Sequence, residues 1–142
     1  MVLNFLFPNN QKSKETSLIY LAIRLLFGSL LIIHGYGKLA DFELMSAGFH
    51  DPIGVGSKFS LILAIFAEMI CGIAFIFGFL YRLTLIPMII TMLVAFFVIH
   101  GADPFQDKEL AFIYLVVFLI MYIAGPGNYS IDTYLRKHFN RE

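Results

Sequence analysis

Four long apolar runs, separated by short polar or glycine-rich stretches, organise the chain. The first covers residues 17–36 and is broken by Arg24 alone. The second covers 59–80 with only Glu68 inside, and the third, 83–99, carries no charge. The fourth covers 109–125, and no charge follows Glu109 until Asp132. Each run is close to the about 20 residues with which a helix crosses a hydrocarbon layer of about 30 Å. Backbone groups in lipid must be satisfied internally, which selects helices or a closed barrel. The runs are continuously apolar, without the alternation of barrel strands, so the pattern predicts helices. Pro87 falls near the start of the third, a position that membrane helices tolerate.

The connections carry their own pattern. Leu39, Phe42, Leu44, Met45 and Phe49 suit a short interfacial helix in the first outer loop, stopped at Gly48. Pro52, Gly54 and Gly56 then break regular structure. Tyr81 and Arg82 form a tight hairpin between the second and third runs. Gly125-Pro126-Gly127 ends the fourth run, and Ser130 suits the cap of a last short helix. Ile131, Tyr134, Leu135 and His138 recur on one face of that helix, and Arg136, Lys137 and Arg141 add basic charge. This composition suits an amphipathic helix on an anionic leaflet. Residues 1–7 lack the positive start and long apolar core of a signal peptide and are expected on the membrane surface. The expected fold is all-α: an integral membrane antiparallel four-helix bundle, with 1–142 as a single membrane domain.

Composition agrees. The chain is 59% hydrophobic and 14% charged, where a soluble domain has about 45–50% apolar and about 25% charged residues. A chain of 142 residues is too short to hide that excess in a globular core. Ten basic and ten acidic residues cancel, so no basic field advertises nucleic acid. Basic residues also orient the bundle. Lys12, Lys14, Arg82, Arg136, Lys137 and Arg141 fall on the side of the termini, and Lys38, Lys58 and Lys108 on the other. The positive-inside rule then places both termini in the cytoplasm. Asp41, Glu43, Asp51, Asp103, Asp107 and Glu109 give an acidic outer face.

The charges inside the runs are the candidate chemistry. An ionised Glu68 deep in the second run costs a few kcal/mol or more unless paired or protonated. Arg24 is the expected partner. It lies about 7 residues, roughly 10 Å, from the inner edge, and Glu68 about 12 residues, roughly 18 Å. Three readings stay open: a buried pin that fixes helix packing, a polar cavity with Glu68 as proton carrier or ligand group, or two groups left unpaired or protonated. Arg24, Gly28, Gly35 and Lys38 fall within about 40° on one helix face. Gly28 and Gly35 suit close helix approach, and Ala64, Cys71 and Gly72 give Glu68 a complementary face of small residues. Lys38 is expected to snorkel to the outer surface. His34-Gly35 and His100-Gly101 end the first and third runs at matching depth. They are either two local interfacial histidines or a paired imidazole site, and so the weak metal candidates in a chain otherwise without metal-ligand spacing. His50 adds an outer imidazole, and Cys71, the single cysteine, reads as a small buried apolar side chain.

Several motifs together resemble the DoxX family. They are Arg24 followed by His34-Gly35-Tyr36-Gly37-Lys38-Leu39; Glu68-Met69-Ile70-Cys71-Gly72; Gly78-Phe79-Leu80-Tyr81-Arg82; and the closing Gly125-Pro126-Gly127-Asn128-Tyr129-Ser130-Ile131-Asp132. The resemblance covers about residues 20–135. It implies a small four-helix bacterial membrane protein linked to redox chemistry and oxidative stress, with a quinone as candidate cofactor and redox proteins as candidate partners. No motif marks autonomous catalysis. The leading expectation is an accessory or quinone-interacting subunit of a membrane redox system. Its polar cavity would be lined by Arg24, Lys38 and Glu68, have His34 at its mouth, and open on the outer side. The alternatives are a small-molecule or lipid carrier or transporter acting as a homo-oligomer, and a structural scaffold whose charges only pin helices.

Overall fold

A computed structural model describes residues 12–139. The expectations for residues 1–7 and for Arg141 lie outside the described residues. Six helices follow one another, and no strand occurs among the described residues. Helix α1 is Lys14–Ala40. Ser13 starts it: its hydroxyl accepts from the Thr16 amide at 3.2 Å, which satisfies one of the free amides of a helix start. The short α2, Phe42–Ser46, follows directly in the first loop.

Helix α3, Ser57–Phe77, contains one wide π turn, Phe66–Ile70, and Glu68 sits in it. It ends three residues before the sequence pattern suggests, because Gly78 takes a left-handed conformation at φ 64° that closes the helix. Helix α4, Tyr81–Ile99, ends in a second π turn, Ala95–Ile99. Between them Leu80 is held at φ 44°, an uncommon place for a side chain with a Cβ. Asp132 holds it there. Its carboxylate accepts from the amides of Leu80 at 2.9 Å and Tyr81 at 2.8 Å, capping α4 from the far end of the chain. Helix α5 is Phe105–Ala124 and α6 is Ile131–Phe139. Ser130 caps α6 by accepting from the Thr133 amide at 3.2 Å.

Helix α1 packs along α3, α3 against α4, and α4 against α5. Tyr114 of α5 returns to α1, where its ring meets Phe27 edge-on at 5.7 Å. Leu31, Phe75, Leu85, Met88, Phe118 and Met121 fill the space between. The α1–α3 contact is tight because glycines face it. A Cβ on Gly28 would lie 2.4 Å from Ile76 Cγ1, and one on Gly35 would lie 2.6 Å from Met69 Cγ and 2.9 Å from Glu68 Cβ. Gly72 lies opposite, with Ile32 3.0 Å from where its Cβ would be.

Helices α1, α3 and α4 are long and apolar enough to cross a membrane. Only 22%, 44% and 17% of their apolar windows are buried inside the protein, so most of those side chains face outward and need a lipid solvent. Helix α5 has 20 residues and gathers Asp107, Lys108 and Glu109 near its start.

Candidate functional site

The polar groups divide into two clusters at opposite ends of the helices. The first surrounds Arg24, and it corrects the expected pairing with Glu68. The buried guanidinium turns to backbone carbonyls. It donates to Ile76 O at 2.7 Å from Nη2 and 3.2 Å from Nε, to Pro126 O at 2.6 Å, and to Tyr129 O at 2.8 Å. The last carbonyls of α3 have no partner within their helix, and a cation at a helix C-terminus also meets the negative end of the dipole. A planar donor fork suits three converging carbonyls. Gly78 lies against it: a Cβ there would sit 3.2 Å from Arg24 Cζ and 2.5 Å from Ser130 Cβ. The loop is tied further by Asn128, whose amide side chain donates to Lys12 O at 2.7 Å and whose backbone donates to Ser17 Oγ at 3.2 Å. Burial pushes the Asp132 carboxyl above its ordinary range, opposed by the Tyr81 and Leu80 amides and by the charge of Arg24. Arg24 is therefore a brace between α1, the end of α3 and the loop before α6. The expected cavity does not contain it.

The second cluster contains the partner that Glu68 does have. Lys38 Nζ donates to Glu68 Oε2 at 2.6 Å, with side-chain exposures of 23% and 6%. Lys38 thus turns inward along α3 rather than snorkelling to the surface, and it lines one cavity together with Glu68, two of the three residues expected on such a lining. A lysine stem reaches back from the end of α1 to the depth of Glu68, and helix-end carbonyls compete successfully for the guanidinium of Arg24.

A cavity of about 340 Å³ adjoins the Lys38–Glu68 pair. Leu63 and Ala64 of α3 and Ile90, Val94 and Ile99 of α4 form apolar walls. Ser60, Thr91 and His100 add polar atoms. Both π turns reach it, one through Glu68 and the other through Ala95 and Ile99. Such turns are frequent at functional sites. The loop residues Phe49, His50, Pro52 and Ile53 form the remaining wall. Asp51 fixes that loop by accepting from the Val55 amide at 3.0 Å, the Gly56 amide at 2.7 Å and the Ser60 hydroxyl at 2.8 Å. The Ser60 hydroxyl first, then the Gly56 amide, holds the Asp51 carboxyl below its ordinary range.

His34 does not stand among the lining residues. Its ring meets Tyr114 edge-on at 6.2 Å, while His100 Nδ1 lies 2.8 Å from Asp103 Oδ2. The two histidines of the repeated His-Gly pair are not brought to one site, and no group of three His, Cys, Asp or Glu residues suited to a metal occurs among the described residues. Cys71 is buried in the core. Sequence reasoning missed the wall formed by residues 49–53 and the cap from Asp132. The run Asp51-Pro52-Ile53-Gly54-Val55-Gly56 was a usable signal, since an aspartate before two glycines favours a side chain-to-backbone turn.

An apolar-surfaced set of helices with one interior ion pair beside a cavity defines a helical membrane protein. The DoxX family model matches residues 19–101. The chain is 33% identical over 121 residues to Inner membrane protein YqjF of Escherichia coli (strain K12), covering 82% of this chain and 92% of the relative. No solved structure matches. The chain belongs to the DoxX family. The matched residues include Arg24, Lys38, Glu68 and Gly78; the loop and Asp132 that complete the Arg24 brace lie beyond them.

Proposed function

We propose that this protein is an accessory, quinone-interacting subunit of a redox system in the bacterial inner membrane. One observation carries the reading: an apolar-walled cavity of about 340 Å³ with a lysine–glutamate pair on its lining. Ligand pockets are commonly about 300–1,000 Å³, mostly apolar, with a few convergent polar groups. A quinone supplies coupled electron and proton exchange. Lys38 has ammonium protons beyond the one given to Glu68 and would donate to a carbonyl of the head group. Glu68 would orient that ammonium by accepting a hydrogen bond from it. The aliphatic walls on α3 and α4 would hold the ring and the start of an apolar tail. In this reading α1, α3, α4 and α5 all cross the membrane as a four-helix bundle, with both termini in the cytoplasm. The confinement of α5's charges to its start supports its crossing, and the distribution of lysine and arginine supports the orientation.

The test is purification in lipid nanodiscs followed by solvent extraction and mass spectrometry. Quinone should be enriched over bulk lipid in the wild type and lost in Lys38→Met, while the lipid-facing Leu25→Ala retains it. Absence of enrichment overturns the quinone reading. Solute flux through proteoliposomes would point to the carrier alternative. A Lys38→Met variant that loses thermal stability and no ligand would leave a scaffold.

A further inference from the structure

We infer that the cavity beside Lys38 and Glu68 selects a neutral amphiphile with a hydrogen-bond-accepting head, and excludes amphiphiles that carry net charge. The inference rests on the proposed ligand site and adds a rule for what enters it.

Charge balance carries the argument. Lys38 and Glu68 are 2.6 Å apart, so the pair sums to zero wherever the shared proton resides. His100 also lines the cavity, and Asp103 lies 2.8 Å from its Nδ1, so any charge on that imidazole meets an opposite one. Asp51 does not line the cavity, and its carboxylate is already bonded to two amides and Ser60. Lys58 directs its ammonium over the Phe42 ring at 5.8 Å, and Lys108 donates to Gly101 O at 2.9 Å. His50 is the remaining imidazole on the lining. The lining is therefore balanced, and most of its surface is aliphatic or aromatic.

An ion brought into such a site loses its hydration and finds no counter-charge that is not already engaged, which disfavours its entry. A neutral carbonyl loses far less and gains a charge-assisted bond from Lys38. The same reasoning predicts how the selectivity breaks. Removing the carboxylate as Glu68→Gln leaves Lys38 unbalanced, and the cavity becomes a site for an anion. Removing the ammonium as Lys38→Met leaves a carboxylate, and the cavity becomes a site for a cation.

The experiment uses the full chain in nanodiscs at about pH 8, above the ordinary imidazole range. Four probes share one chain length: decylbenzoquinone, decanamide, decanoate and decylammonium. Binding is read by native mass spectrometry and by competition among the probes. The wild type should prefer a neutral probe over either ion by roughly tenfold or more, which is about 1.4 kcal/mol. Glu68→Gln should shift the order toward decanoate, and Lys38→Met toward decylammonium. The double variant, neutral again, should keep the wild-type rejection of ions and guards against a single variant that fails to fold. Decanamide binding without decylbenzoquinone binding would remove the quinone reading and support the neutral rule. Wild-type binding of decanoate or decylammonium as tight as that of the neutral probes overturns the rule. So does an unchanged order in both single variants, or the failure of all four probes to bind.

Discussion

Replacing Arg24 by methionine removes the donors of the brace while keeping a long apolar stem. Three carbonyls, Ile76 O, Pro126 O and Tyr129 O, then lose their side-chain partner. An orphaned buried acceptor costs about 1–3 kcal/mol. At the lower end of that range, three give a loss of about 3 kcal/mol. Relief from burying a guanidinium offsets part of this, and water entering from the helix ends can satisfy some carbonyls. Arg24→Lys keeps the charge but replaces a planar fork with one compact ammonium, and should recover only part of the loss.

The loss should be local before it is global, since two of the three carbonyls belong to the segment between α5 and α6. Trypsin reports it directly, because Arg136 and Lys137 lie on α6. If docking of that segment weakens by about 3 kcal/mol, cleavage through an open state accelerates by roughly a hundredfold. The order of cleavage rates should be Arg24→Met, then Arg24→Lys, then wild type. Leu25→Ala is the control, since Leu25 is 48% exposed on the outer surface of α1. An Arg24→Met protein with the trypsin rate of that control and a melting temperature within about 2 °C of it would refute the brace.

Gly78→Ala must place a Cβ 2.5 Å from Ser130 Cβ at a φ of 64°. It should lower the melting temperature in nanodiscs, and an effect no larger than that of Gly37→Ala, whose surroundings are open, would count against it. Asp132→Asn should weaken the cap of α4 by about 1 kcal/mol. Amide exchange at Leu80 and Tyr81 should then accelerate, and unchanged rates would show that the carboxylate does not hold that turn. Asp51 has a folded pKa below its unfolded one, so its contribution is fully present above the unfolded range. The contribution is lost as pH falls through the lowered folded value. Protection of the 51–56 amides should decline on acidification below the ordinary aspartate range of about 3.9, and Asp51→Asn should flatten that profile.

Sequence pattern located the four long helices to within a few residues, because lipid imposes a coarse rule on composition and length. It located the break after α5 and the Ser130 cap for a different reason: Gly-Pro-Gly and a following serine have strong local preferences. The partners of Arg24 and Glu68 were not legible. An arginine in an apolar run invites a search for an acid, yet this arginine meets carbonyls that every residue possesses and no composition distinguishes. Lys38 was visible at the end of the first helix, but surface snorkelling and an inward turn use the same residue at the same place. What decides between them is the position of Glu68 on the facing helix. The placement of residues 49–53 beside the cavity depends on the three bonds that Asp51 makes, a tertiary choice with only the Asp-Pro-x-Gly run as a local trace.

The two clusters use the same residue types to opposite effect. At the Arg24 end, the guanidinium and the carboxylate of Asp132 are both engaged with backbone, and Gly78 packs against Arg24 and Ser130. The guanidinium and the carboxylate there each close contacts within the chain. At the other end, Lys38 makes one bond to Glu68, and the pair borders a space rather than a packed wall. The glycines of α1 connect these arrangements. Gly28 draws α1 against α3 near the brace, and Gly35 sets it against Glu68 one turn before Lys38. The braced Arg24 end therefore fixes the register in which Lys38 reaches Glu68. The pair can remain bordered by a cavity because helix packing is secured elsewhere. On this account Arg24 governs ligand binding only through stability, whereas Lys38 and Glu68 govern it through recognition. Substitutions at the two ends should accordingly separate: loss of tail docking with unchanged probe order at Arg24, and altered probe order with intact tail docking at Lys38 and Glu68.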